Sequence, residues 1–95
     1  MSFPLVVRVG SRPERVFTAS FLVGSRRDID LSVEGDPFIS DAHALCGNFR
    51  GDWSVQDLGS VDGTYLNGSR VYGQQWVCRG DVLRVGRTEI VLVPC

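Results

Sequence analysis

The chain reads as an all-β sandwich of two antiparallel sheets, with about ten or eleven short strands in a single domain over residues 1–95. Three observations predict this. Apolar residues alternate with polar ones in runs of three to five. Clusters of Gly, Pro, Asp and Asn separate the runs. Nowhere do apolar residues recur at i, i+3, i+4 and i+7 over three turns, so no substantial helix is expected.

Leu5, Val7 and Val9 alternate with Val6 and Arg8 and predict the first strand, which the Gly10-Ser11-Arg12-Pro13 turn ends. Residues 15–17 and 20–23 read as further strands, and Leu31 and Val33 flank Ser32 in the same alternation. Residues 44–46 and 53–55 follow, separated by Arg50-Gly51-Asp52. Residues 65–66, 82–85 and 89–93 complete the pattern. Asp62-Gly63 and Asn67-Gly68 are strong turn pairs because both members tolerate positive φ. Tyr65, Trp53 and Trp76 are expected in or near the core.

Ninety-five residues close one core of marginal stability. A hydrophobic fraction of 43% is ordinary for a globular domain. No apolar run approaches the roughly 20 residues of a membrane helix, so direct membrane insertion is not expected. Met1-Ser2-Phe3-Pro4 lacks a charged and an apolar region, and no signal peptide is expected. A net charge of −1 lacks the basic excess of a nucleic-acid binder, although all ten basic residues are arginine. Cys46, Cys78 and Cys95 form no metal-ligand spacing; reduced, mostly buried thiols in a cytoplasmic protein are expected, with no metal and no cofactor.

Residues 36–68 carry the functional signal. They hold Ser40-x-x-His43-Ala44, then Trp53-Ser54-Val55-Gln56-Asp57-Leu58-Gly59-Ser60, then Gly63-Thr64-Tyr65-Leu66-Asn67-Gly68. Upstream, Phe21-Leu22-Val23-Gly24 and Asp30-Leu31-Ser32-Val33 precede them; downstream comes Arg79-Gly80-Asp81-Val82-Leu83-x-Val85-Gly86. In this order and spacing the pattern resembles the forkhead-associated (FHA) domain, a phosphothreonine-peptide reader, and the chain looks like a divergent member. A bound phosphate carries about −1.5 to −2 charge and three strong acceptor oxygens, so its reader needs Arg, hydroxyls and backbone N–H groups on rigidly held loops.

The resemblance implies a ligand site on loops at one end of the sandwich, where Ser40 donates its hydroxyl to phosphate. It implies that His43, with Gly24, Gly63 and Asn67, is structural, His43 bracing the binding loops. Three departures stand at the grip. Ser25 occupies the place of the family's phosphate-binding Arg, with Arg26 and Arg27 next along as surrogates. One step along a strand reverses the side-chain face, so Arg26 starts from the wrong face and Arg27 from a displaced position. Asp41 stands where the family carries a basic or amide residue; a carboxylate about 6 Å from a phosphate dianion costs on the order of a few kcal/mol at an effective dielectric of about 20–40. Pairing of Asp41 with Arg26 or Arg27 would relieve that cost. Asp62 keeps the turn of the family's Asn but loses its donor, and Val61 lacks the family's hydroxyl. Arg87 follows Gly86, but this pair falls in the closing strand and is not the phosphate pair.

These residues predict a non-catalytic protein–protein interaction module whose phosphothreonine recognition is weakened or lost. The alternative is a functional phosphothreonine-dependent domain in kinase signalling. The partner is a protein or a phosphothreonine peptide, and the chain suits a free-standing protein or part of a larger polypeptide or assembly. No nucleophile–base pair, paired catalytic carboxylates or phosphate-cradling glycine loop before a helix supports an enzyme.

Overall fold

A computed structural model describes residues 4–93, so the readings of Met1–Phe3 and of Cys95 lie outside the described residues. Eleven strands form two layers, and no helix occurs among the described residues. They are β1 (Leu5–Val9), β2 (Arg15–Phe17), β3 (Phe21–Gly24), β4 (Leu31–Ser32), β5 (Ala44–Phe49), β6 (Asp52–Asp57), β7 (Thr64–Leu66), β8 (Ser69–Arg70), β9 (Gln74–Val77), β10 (Val82–Val85) and β11 (Thr88–Leu92). One sheet runs β2-β1-β11-β10-β7-β8, and the other β4-β3-β5-β6-β9.

Alternation sets the layers. Leu5, Val7, Val9, Ile90, Leu92, Leu83 and Val85 face inward from the first sheet; Phe21, Val23, Cys46, Trp53 and Val55 meet them from the second. Phe21 stacks on Phe17 at 3.8 Å between ring centroids and tilts against Trp53 at 5.8 Å. The β5–β6 hairpin turns on Arg50 (φ 55°) and Gly51 (φ 94°), a pair of positive φ values that matches the strands' twist.

Several expectations need correcting. The sheets are not wholly antiparallel, because β4 pairs with β3 in parallel. The Asp30 carboxylate takes the Leu22 N–H at 2.9 Å, tethering this loop beside β3. Asp62-Gly63 turns the chain from one sheet into the other, whereas Asn67-Gly68 closes the β7–β8 hairpin. The polar strands β8 and β9 escape a reading based on apolar alternation. On the edge strand β9, Trp76 is 58% exposed because it lies on the outer face, opposite Ser54. Cys78 is exposed just past β9, while Cys46 is buried in the core and its thiol is pushed up to about 12 by desolvation.

Strand register fixes which loops share an end. Val9 pairs with Ile90, Thr64 with Val85, and Ala44 with both Val23 and Asp57. The β3–β4, β4–β5 and β6–β7 loops and the β10–β11 turn therefore gather at one pole.

Candidate functional site

His43 is fully buried at the centre of this pole. Its backbone N–H donates to Val23 O at 2.8 Å, and its carbonyl accepts from Leu58 N at 2.9 Å. Nδ1 accepts the Ser40 N–H at 3.1 Å, which places the ring proton on Nε2, 2.8 Å from Gly63 O. One imidazole thus joins the loops that carry Ser40 and Asp62.

Gly24 lets two of these loops touch. A Cβ there would stand 2.0 Å from the Asp41 carbonyl oxygen. The close approach aligns Ser25 N with Ser40 O at 3.1 Å and Arg26 N with Asp41 O at 3.3 Å.

Asp57 organises the third loop. Its Oδ2 accepts from Gly59 N and Ser60 N, both at 3.1 Å, and its Oδ1 accepts from Ser60 Oγ at 2.6 Å and Thr64 Oγ1 at 2.7 Å. Burial pushes the Asp57 carboxyl up, but the hydrogen bonds from Ser60 and Thr64 outweigh it and hold the group below its ordinary value. Ser60 Oγ in turn accepts the Gly63 N–H at 2.9 Å. Asp36 plays a similar part where the β4–β5 loop meets the β10–β11 turn, accepting from Phe38 N, Arg87 N and Thr88 Oγ1 at 2.7–2.9 Å.

The predicted grip residues converge here but engage one another. Ser40 Oγ accepts the Val61 N–H at 3.2 Å and keeps its own proton to donate. Ser25 Oγ donates to Asp41 Oδ1 at 3.3 Å. Arg26 forks onto Asp28, Nε to Oδ1 at 3.0 Å and Nη2 to Oδ2 at 2.7 Å. Arg27 Nε sits 3.1 Å from Glu34 Oε1. The pairing with Arg26 or Arg27 that would have relieved Asp41 is not made: those cations are held by Asp28 and Glu34, and Asp41 takes the Ser25 hydroxyl. Val61 is 94% exposed at the loop tip, with Asp62 half-buried beside it. Asn67 lies at the opposite pole, donating to Asp81 Oδ1 at 3.0 Å and accepting Val82 N–H at 2.9 Å.

Sequence reasoning missed three residues. Asp57 and Asp36 were legible as Asx-turn formers, each accepting from an N–H two residues on. Arg70 carried no local signal. It reaches back from β8 so that its Nε and Nη2 stand 3.1 and 3.4 Å from where a Cβ on Gly63 would be. No carboxylate pairs with it among the described residues; its guanidinium lies 5.6 Å from the Tyr72 ring. Arg87, expected within the closing strand, sits in the turn before it at the loop pole, over the Phe38 ring at 4.3 Å.

A two-layer β sandwich whose loops are braced at one pole is the frame of a recognition module, with a rigid body and a variable ligand end. The FHA domain family model matches residues 21–86, and the chain belongs to that family. It is 38% identical over 73 residues to the FHA domain-containing protein FhaB of Mycobacterium tuberculosis, covering 77% of this chain and 46% of the relative. The chain thus spans about half the length of the curated relatives it matches. A structure from work on phosphothreonine-dependent FHA domain interactions superposes with a TM-score of 0.87 at 23% identity over 98% of both chains. The N-terminal FHA domain of S. cerevisiae Rad53p, solved with a phosphothreonine peptide, gives 0.80 at 20% identity, over 95% of this chain and 94% of the other. At these identities the two structures speak for the fold.

Proposed function

We infer that this chain is a non-catalytic, cytoplasmic protein-interaction module in which phosphothreonine recognition is weakened or lost. One observation carries the reading: each cation that stands near the place of the missing arginine is already matched to a carboxylate. Arg26 is held by Asp28 and Arg27 by Glu34, while the Ser25 hydroxyl is spent on Asp41. A phosphate entering here meets the Asp41 and Asp62 carboxylates and gains no unpaired guanidinium from the β3–β4 loop. Losing one charge-assisted contact costs about 1.5–3 kcal/mol. Together with repulsion from Asp41, that turns micromolar affinity into roughly millimolar.

A second reading, a phosphothreonine reader in kinase signalling, draws support from Arg70. Its guanidinium rests against Gly63 on the loop that bonds Ser40, and no carboxylate neutralises it among the described residues. Replacing Ser25 and Asp41 together by arginine separates the two. With phosphate recognition lost in the native chain, Ser25→Arg/Asp41→Arg gains at least tenfold in affinity for a phosphothreonine peptide, measured by calorimetry. No gain in a double variant that still folds would overturn the reading of the site.

A further inference from the structure

The outer face of the six-stranded sheet presents a different charge arrangement. A wide concavity of about 820 Å³ extends from the β1–β2 turn to the β10–β11 turn, lined by Arg8, Arg12, Arg84, Arg87, Glu34 and Glu89 among others. Val6 and Arg8 of β1, Glu89 and Val91 of β11, and Val82 and Arg84 of β10 alternate outward from the buried core. The concavity borders the Ser40 loops: Val33 and Glu34, at the start of the β4–β5 loop, line one side of it, and the β10–β11 turn lines another.

Two of its guanidiniums are anchored by neutral groups. Arg84 faces Glu89 across the β10–β11 ladder, yet it donates to Gly86 O at 2.7 Å and lies 4.0 Å over the Tyr65 ring. Arg12 donates Nη1 to Ser32 O at 3.0 Å. Both are positioned without losing their charge to a carboxylate, and both keep N–H donors for a ligand. A planar guanidinium held on an aromatic ring loses less freedom when it binds an anion. Of the two lining carboxylates, Glu34 is committed to Arg27 and Glu89 has no bonded partner among the described residues; nearby, the Asp36 oxygens accept from Phe38 N, Arg87 N and Thr88 Oγ1. Glu14 stands 4.0 Å from Arg8, at the limit of an ion pair.

We propose that this arginine-lined face is a second docking surface, which takes an extended, carboxylate-rich peptide segment of a partner protein. Charge complementarity selects the occupant, because four guanidiniums and two carboxylates line the concavity, and one of those carboxylates, Glu34, is already paired with Arg27. Spacing agrees with it. Arg8 and Arg84 lie two strands apart and two residues offset, about 12 Å at the usual strand spacing and rise. An extended peptide places same-face side chains about 6.6 Å apart, so carboxylates at every second position present one to each end of the span. The surface stands whether or not the Ser40 loops recognise phosphate, since its ligand carries none.

The test is fluorescence anisotropy at low salt with a fluorescein-labelled Glu-Ser-Glu-Ser-Glu-Ser-Glu peptide, its Gln-for-Glu analogue as control, and amide shift mapping on labelled protein. Saturable binding of the acidic peptide alone is expected, with shifts at residues 8–12 and 84–89. Arg12→Glu/Arg87→Glu, at two exposed positions, should weaken it at least tenfold in a protein whose amide spectrum remains that of a folded domain. Arg84→Gln offers a milder second variant, expected to weaken it about threefold to tenfold for one lost charge-assisted donor set. Equal binding by the double variant, shifts confined to residues 24–27, 40–43 and 58–63, or no binding would overturn the proposal. Tighter binding of an oligothymidine or of phosphatidylserine vesicles would also overturn it, by making the face a general polyanion surface.

Discussion

The loop pole and the outer face of the six-stranded sheet use the same residue type to opposite effect. At the pole, Arg26 and Arg27 are closed off by Asp28 and Glu34, two and seven residues further along the chain. Around the concavity, Arg84 of β10 and Arg12 of the β1–β2 turn are held by a ring and by carbonyls. An arginine held by a carboxylate has satisfied its charge; one held by neutral groups is placed and still charged. Counting arginines near a site therefore says little until the partner of each is known.

The pole is held together by the Gly24 approach and the His43 hydrogen bonds, and substitutions that attack this brace should have the largest effects. Gly24→Ala drives a Cβ into the Asp41 carbonyl, which cannot move without opening the 24–26/40–41 contact. We expect a loss of about 3 kcal/mol or more by urea unfolding. His43→Phe puts a larger apolar ring in a fully buried site and strands the Ser40 N–H and the Gly63 carbonyl, for about 2–3 kcal/mol or more by the same measurement.

Next comes Asp57→Asn, expected to cost about 1–2 kcal/mol at neutral pH through weakened bonds to Ser60 and Thr64. The folded pKa of Asp57 is lowered, so the unfolded chain binds the proton more readily and stability rises with pH across that window. The contribution is complete above the unfolded value of about 3.9 and is lost as pH falls through the lower folded value. Unfolding curves should show the gap between wild type and Asp57→Asn widest above about pH 4 and shrinking on acidification. A gap that widened instead would contradict the hydrogen-bond origin of the shift.

The smallest expected effect is the most telling for the pairing of cations. Asp28→Ala removes an exposed ion pair, and stability should change by less than about 0.5 kcal/mol. It releases Arg26, however, and phosphothreonine-peptide affinity should rise by a measurable factor, short of the gain from Ser25→Arg/Asp41→Arg. Unchanged affinity would mean that Arg26 faces away from the ligand even when free.

Much of the fold was legible because burial follows alternation. Leu5, Val7 and Val9 point inward as their spacing requires, and residues 15–17 and 82–85 begin and end where the pattern does. Strand β9 was hidden because an edge strand needs no apolar face, and Trp76 misled because an aromatic residue is not always core. The parallel β3–β4 pair rests on a side-chain tether from Asp30, which periodicity does not encode. At the pole, motif spacing was enough to gather Gly24, Ser40, His43 and Gly63 in one place. The pairing of cations was not legible, because Arg26 had Asp28 and Asp41 both within reach and only the loop's path decides between them. Arg70 was invisible because it lies on the short polar strand β8, which apolar alternation does not mark even though the Asn67-Gly68 turn before it was legible.

The most direct measurement is a titration of the isotope-labelled chain with a degenerate phosphothreonine-peptide pool, followed by amide shifts. Weakened or lost phosphate recognition predicts spectra that stay flat at Ser40, Asp41 and residues 61–63 up to millimolar peptide. Saturable shifts at Ser40, Asp62 and Arg26, Arg27 or Arg70 that vanish with the unphosphorylated pool would contradict it and establish a phosphothreonine reader despite the carboxylates around its site.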